Sequence, residues 1–83
     1  MDKILVNVFV PALNTSYDMF IKKNLKIYEL SMLISKAVME LSDEYYISSN
    51  DELLCDRESG NIFNINVSVK ELDLKNGSRL MLI

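Results

Sequence analysis

VKELDLKNGSRLMLI, residues 69–83, is the stretch that decides the fold. It reads as a short turn, an Asn76-Gly77 reversal and a strand of alternating character, Arg79-Leu80-Met81-Leu82-Ile83. Asn-Gly is a strong reversal signal because both residues tolerate positive φ. Period-two alternation puts Leu80 and Leu82 on one face and Met81 and Ile83 on the other. The chain stops on this strand.

Working outward, the chain begins with a matching strand. Residues 4–10, ILVNVFV, are rich in β-branched side chains and end at Pro11, which cannot continue a ladder. Ile4, Val6, Val8 and Val10 form one apolar face; Leu5, Asn7 and Phe9 form the other. Residues 11–16 are a connection of hairpin length, and residues 17–21 make a second strand with Tyr17, Met19 and Ile21 on one face. Apolar residues then recur at helical spacing, at Ile27, Leu30, Ile34, Val38 and Leu41, which predicts a helix over Ile27–Leu41. Glu29, Ser35, Lys36 and Glu40 fall mostly off that stripe, while Ala37 and Leu33 widen it. Lys26 is a weak residue type for the cap position.

A polar loop over 43–51 holds Tyr45, Tyr46 and Ile47. Residues 52–56 form a third strand, residues 57–61 a turn using Gly60, and Ile62-Phe63 starts a brief fourth strand. The order strand, strand, helix, strand, short strand, strand is that of an α+β domain in which one helix covers a sheet. No repeat, linker or low-complexity tract divides residues 1–83, so a single domain is expected.

Composition narrows the function classes. Charged residues are 25% and apolar residues 49% of 83, ordinary globular usage. A net charge of −3 argues against a nucleic-acid partner. Apolar runs are broken at Asn7, Asp18 and Ser35, far short of the roughly 20 residues of a membrane span. Met1-Asp2-Lys3 is too short a head for a signal peptide. The one cysteine excludes an internal disulfide and fits a reducing cytoplasm. With no histidine in the chain, Cys55 has no base to activate it and reads as a small buried hydrophobe. No zinc set, calcium loop or glycine-rich phosphate cradle can be assembled, so no catalytic residue, metal or cofactor is assigned. Lys22, Lys23 and Lys26 make a small basic edge.

The spacing resembles ubiquitin over most of the chain, without gaps from 68 to 83. Tyr17, Met19 and Ile21 match its second-strand core, Ile27, Leu30 and Ile34 its helix face, residues 53–55 its third strand, and Val69, Leu74, Leu80 and Leu82 its final core positions. The longer helix, larger loops and Asn76-Gly77-Ser78-Arg79-Leu80 ending are similar to the YukD/EsaB proteins, ubiquitin-like accessory components of type VII secretion in Gram-positive bacteria. The resemblance implies a ubiquitin-like β-grasp: a mixed sheet covered by one main helix, with the first and last strands pairing in parallel at its centre. It also implies a non-conjugated cytoplasmic binding module that docks onto a cytosolic domain of the secretion machinery. Ubiquitin and the sulfur carriers end in a reactive Gly-Gly tail, which this sequence does not show. The alternatives are a modifier or sulfur carrier whose tail lies beyond the sequence, or a cytosolic domain cut from a membrane-embedded secretion component. For the docking reading the expected protein-binding or self-association patch is the outer sheet face: Leu54, Met81, Ile83 and Phe9, extended by Leu5. Tyr45 and Tyr46 are candidates to cap that face instead.

Overall fold

The computed structural model describes residues 2–83; Met1, at the head of the expected domain, lies outside them. Strand β1 (Lys3–Val10) is followed by a 3₁₀ turn (Pro11–Leu13), strand β2 (Thr15–Lys22), helix α1 (Ile27–Leu41), a short strand β3 (Leu54–Asp56) and strand β4 (Arg79–Leu82). The alternation of β1 is realised as read: Ile4, Val6, Val8 and Val10 are buried. Asn14 closes the turn with φ of 50°, a left-handed conformation that asparagine tolerates better than most residues. It sets the β1/β2 register, which runs from Lys3 opposite Lys22 to Val10 opposite Thr15.

Helix α1 has the bounds that its periodicity predicts, and Ile27, Leu30, Ile34 and Val38 are its buried stripe. Its start is only half capped by side chains. The Glu29 carboxylate accepts the Lys26 backbone N–H at 3.1 Å, but an ammonium has no lone pair to return the bond. The chain that follows β3 supplies what the cap lacks. Ile27 N–H donates to the Val67 carbonyl at 2.8 Å and Tyr28 N–H to the Ile65 carbonyl at 3.1 Å. Two helical expectations are corrected. Leu41 is 60% exposed, because the stripe outruns its cover at the last turn. Ser35, expected off the buried face, is buried, because the loop after α1 folds back there: Ser48 Oγ donates to Ser35 Oγ at 3.1 Å, and Ser35 Oγ donates to the Met32 carbonyl at 3.0 Å.

The sheet is mixed, in the order β2-β1-β4-β3. β1 pairs antiparallel with β2 and parallel with β4, and β3 pairs antiparallel with β4. Parallel β1 and β4 therefore sit at the centre, and the crossover between them carries α1. Asn76 and Gly77 extend that central pairing beyond β4. Leu5 N–H donates to Asn76 Oδ1 at 2.7 Å, and Gly77, at φ of 89°, donates its N–H to the Leu5 carbonyl at 2.8 Å. This is a ubiquitin-like β-grasp. Its core joins the α1 stripe to the even residues of β1, with Ile21, Leu54, Val69, Leu80 and Leu82.

The segment between α1 and β4 departs most from expectation. β3 has three residues instead of five, and the expected fourth strand at 62–63 is a single bridge between Cys55 and Ile62. The turn before it is tied by Ser59 N–H to Asp56 Oδ2 at 2.9 Å and Gly60 N–H to the Asp56 carbonyl at 2.8 Å.

Candidate protein-docking face

Antiparallel partners opposite each other share a face of a sheet, as do neighbours in a parallel rung. Phe9 aligns with Met81, Met81 with Cys55, and Cys55 with Ile62. These four side chains form one rung on the face away from α1. The next rung holds Leu53 and Ile83, whose backbones exchange two hydrogen bonds of 2.9 Å. Phe9 and Met81 are half-buried by their neighbours, whereas Leu53, Ile62 and Ile83 are 38%, 56% and 51% exposed. The result is a contiguous apolar patch over β1, β4, β3 and the bridge beside it.

Leu54, expected at the centre of this patch, lies on the opposite face. It pairs with Leu82 and is 1% exposed in the core. The physical reason is pairing: β3 is too short for its own pattern to choose a face, so the buried Leu82 opposite dictates that Leu54 turns inward. Cys55 is buried, as its hydrophobic character suggests, but on the outer-face parity. The outward leucine is Leu53. Ile62 also joins the patch, and period-two alternation in β3 could not have found it because it enters through the reversal at residues 57–61.

A polar rung borders the apolar one. Asn7 aligns with Asp18 on one side and with Arg79 on the other. Asn7 Nδ2 donates to Asp18 Oδ1 at 3.0 Å, and Arg57 Nη1 donates to Asn7 Oδ1 at 3.3 Å. The Arg57 guanidinium also lies 4.4 Å from the centroid of the Phe9 ring, a cation–π distance. Arg79 faces Glu58 at 3.9 Å, an exposed pair of little energetic weight. An apolar centre with a fixed polar rim is the anatomy of a protein contact surface. Leu5 is corrected as well: it opposes Phe20 beyond the polar rung and belongs to a separate corner.

The tyrosines do not roof this patch. Tyr45 is exposed, and Tyr46 packs against the core while its hydroxyl donates to Glu52 Oε2 at 2.9 Å. Burial, then the hydrogen bond and charge of Glu52, push the Tyr46 pKa up to about 12. Burial raises the Glu52 pKa too, but hydrogen bonds from Ser49 and Tyr46 outweigh it and hold the carboxyl below its ordinary value. Burial, helped by the Asp56 charge, pushes the Cys55 thiol up, away from the thiolate a nucleophile needs. Among the described residues, no group of three or more acidic, cysteine or histidine side chains is placed to hold a metal ion. None of the helices described is long and apolar enough to cross a membrane.

No protein-family model matches the sequence, and none of the curated proteins matches it. Solved structures do match the fold. The ubiquitin-like domain of Plasmodium falciparum Dsk2 superposes with a TM-score of 0.73 at 15% identity, over 96% of this chain and 95% of that one. The EccD5 ubiquitin-like domain from Mycobacterium xenopi gives 0.73 at 17% identity, over 100% and 94%. A chain of the MycP5-free ESX-5 inner membrane complex gives 0.74 at 18% identity, over all of this chain and 21% of that longer one. Identities this low define the ubiquitin-like fold and leave function to the site.

Proposed function

We propose that this chain is a single-domain, ubiquitin-like docking module that binds a protein partner non-covalently. In this reading it is an accessory or regulatory component of type VII secretion in the cytoplasm of a Gram-positive bacterium, of the YukD/EsaB kind. The observation that carries docking is the rung Phe9-Met81-Cys55-Ile62 with Leu53-Ile83 beside it, contiguous, exposed at Leu53, Ile62 and Ile83, and rimmed by Arg57, Arg79 and Glu58. Exposed apolar patches of this kind mark contact surfaces. The secretion assignment is supported by the likeness to the EccD5 domain, and by the ending at residues 76–80 that resembles YukD/EsaB. The partner would be a cytosolic domain of the secretion machinery, held by shape and apolar contact. A non-catalytic role accords with the covered Cys55 and the lack of any histidine.

Calorimetry or pull-down against the cytosolic domains encoded beside the gene tests this. Leu53→Asp and Met81→Asp should abolish binding while the fold survives, since a carboxylate in a dry contact is desolvated without a partner charge. Wild-type binding by both folded variants would remove the outer face as the working surface.

A second reading has its own observation. The ESX-5 chain is about five times longer than the part matched here, so the same domain can serve inside a larger membrane-complex chain. The genomic reading frame beyond Ile83 discriminates: a membrane-spanning continuation selects this reading, and a Gly-Gly tail selects a conjugated modifier or sulfur carrier.

A further inference from the structure

β2 is the open edge of the sheet, and its free main-chain groups can be assigned. Asn7 N–H donates to the Ser78 carbonyl, and the Leu5 carbonyl accepts from Gly77, so the odd residues of β1 turn toward β4. The even residues then turn toward β2 and occupy Tyr17, Met19 and Ile21 opposite them. Asp18, Phe20 and Lys22 are left presenting N–H and C=O to the open side. Their side chains lie on the outer face, and Phe20 is 70% exposed. Such an edge is a template for another strand.

We propose that β2 is the seam of a symmetric homodimer, pairing antiparallel with β2 of a second copy about a twofold axis through Phe20. The charge pattern selects this register. With the axis at Phe20, each Asp18 opposes Lys22 of the other copy and the two Phe20 side chains meet. An axis at Asp18 would set carboxylate against carboxylate, and one at Lys22 would set ammonium against ammonium. An axis at Met19 or Ile21 would leave a charge facing Phe20.

The isolated chain carries the imbalance that this pairing relieves. Lys3 and Lys22 are direct cross-strand partners, like charges that repel, and among the described residues neither is in an ion pair. Asp18 of the second copy supplies the counter-charge, from a carboxylate already oriented by Asn7 Nδ2 at 3.0 Å. On the helix side the same register sets Met19 against Ile21 of the other copy. There each copy has an apolar groove of about 420 Å³ between β2 and α1, lined by Met19, Ile21, Leu25, Leu33 and Ala37. A lone edge lysine deters strand addition; a lysine four residues after an aspartate admits one self-complementary register and repels its neighbours. The interface is isologous and closes at two copies. It leaves Leu53, Met81 and Ile83 free, so the dimer would carry two docking faces pointing the same way.

Sedimentation equilibrium on the full chain, from micromolar to millimolar concentration, tests the seam. Wild type should show a monomer–dimer equilibrium. Asp18→Lys and Lys22→Asp should each weaken it about tenfold or more, because symmetry makes every reversal act twice. Combining both reversals should restore dimerisation. Circular dichroism melts verify that each variant folds. Phe20→Cys should crosslink under mild oxidation, since residues opposed on the axis lie about 5.5 Å apart, within disulfide reach, whereas Ser16→Cys should not. A monomer at all concentrations overturns the proposal. So does a dimer indifferent to the reversals, one not restored by the double variant, or a β2 edge whose amides are protected only by an unrelated peptide.

Discussion

Leu53 and Leu54 are the same side chain one residue apart, and they live in different environments. Leu54 stands in the core against Leu82, while Leu53 is partly exposed on the outer face against Ile83. The same contrast runs along β4, where Leu80 and Leu82 are buried and Met81 and Ile83 are available to a partner. One face of the sheet is thus spent on stability and the other is left for recognition. Hydrophobicity alone therefore does not mark a binding residue in a small domain. The face decides, and in a strand of three residues the face is decided by the neighbouring strand.

The sharpest way to break this comparison is truncation on the core side. Leu54→Ala and Leu80→Ala should each lower unfolding free energy by about 2–5 kcal/mol, the range for a buried leucine whose cavity only partly collapses. Leu53→Ala and Met81→Ala should cost less than about 1 kcal/mol while weakening partner binding. Urea denaturation of the four proteins gives the answer, and equal losses at Leu53 and Leu54, or at Leu80 and Met81, would erase the distinction between the faces.

A smaller effect is expected where the loop after α1 is pinned. Tyr46→Phe removes the hydroxyl bonded to Glu52 and should cost about 1 kcal/mol, read in the same denaturation assay. Glu52 also makes the pinning pH-dependent. Its folded pKa is depressed, so its contribution is complete above its unfolded value and is lost as pH falls through the folded one. Asp56 and Glu71 act in the same direction, held low chiefly by backbone N–H donors from Ser59 and Ser68 respectively. Stability should therefore decline on acidification below the ordinary carboxylate range, and Glu52→Gln should flatten part of that decline. Tyr46 has the opposite sign: its raised pKa means a contribution intact below about pH 10 and lost as pH rises toward about 12.

A modest stability loss should come from Cys55→Ala, which removes one buried sulfur. The native thiol should resist alkylation until the protein unfolds, and a mass shift under native conditions would show that the cover over the outer rung at β3 opens. That would sharpen the comparison by making Cys55 part of the recognition surface rather than its foundation.

Several elements were legible in the sequence because each repeats its pattern long enough to be read. β1 alternates over eight residues and α1 keeps its stripe over four turns. Asn76-Gly77 announces its reversal through residue type alone. Met81, Ile83 and Phe9 were placed on the outer face from these patterns, and the structure has them there. The loop docking at Ser35 was not legible, because a serine at that position reads as solvated until Ser48 is known to arrive. Nor were the groups that satisfy the first helical N–H donors, where Ile65 and Val67 lend carbonyls from nearly forty residues away along the chain.

Read alone, the chain specifies its first two strands, the helix with its buried stripe, the last strand, and the inward residues of the first and last strands. Local periodicity and turn chemistry suffice for these, since each element carries its own amphipathic signal. Tertiary packing is what turns Leu54 in and Leu53 out, brings Ile62 to the outer rung and buries Cys55 on the outer side. These depend on cross-strand register and on a reversal folding over a neighbour, and a three-residue strand has too short a pattern to encode either.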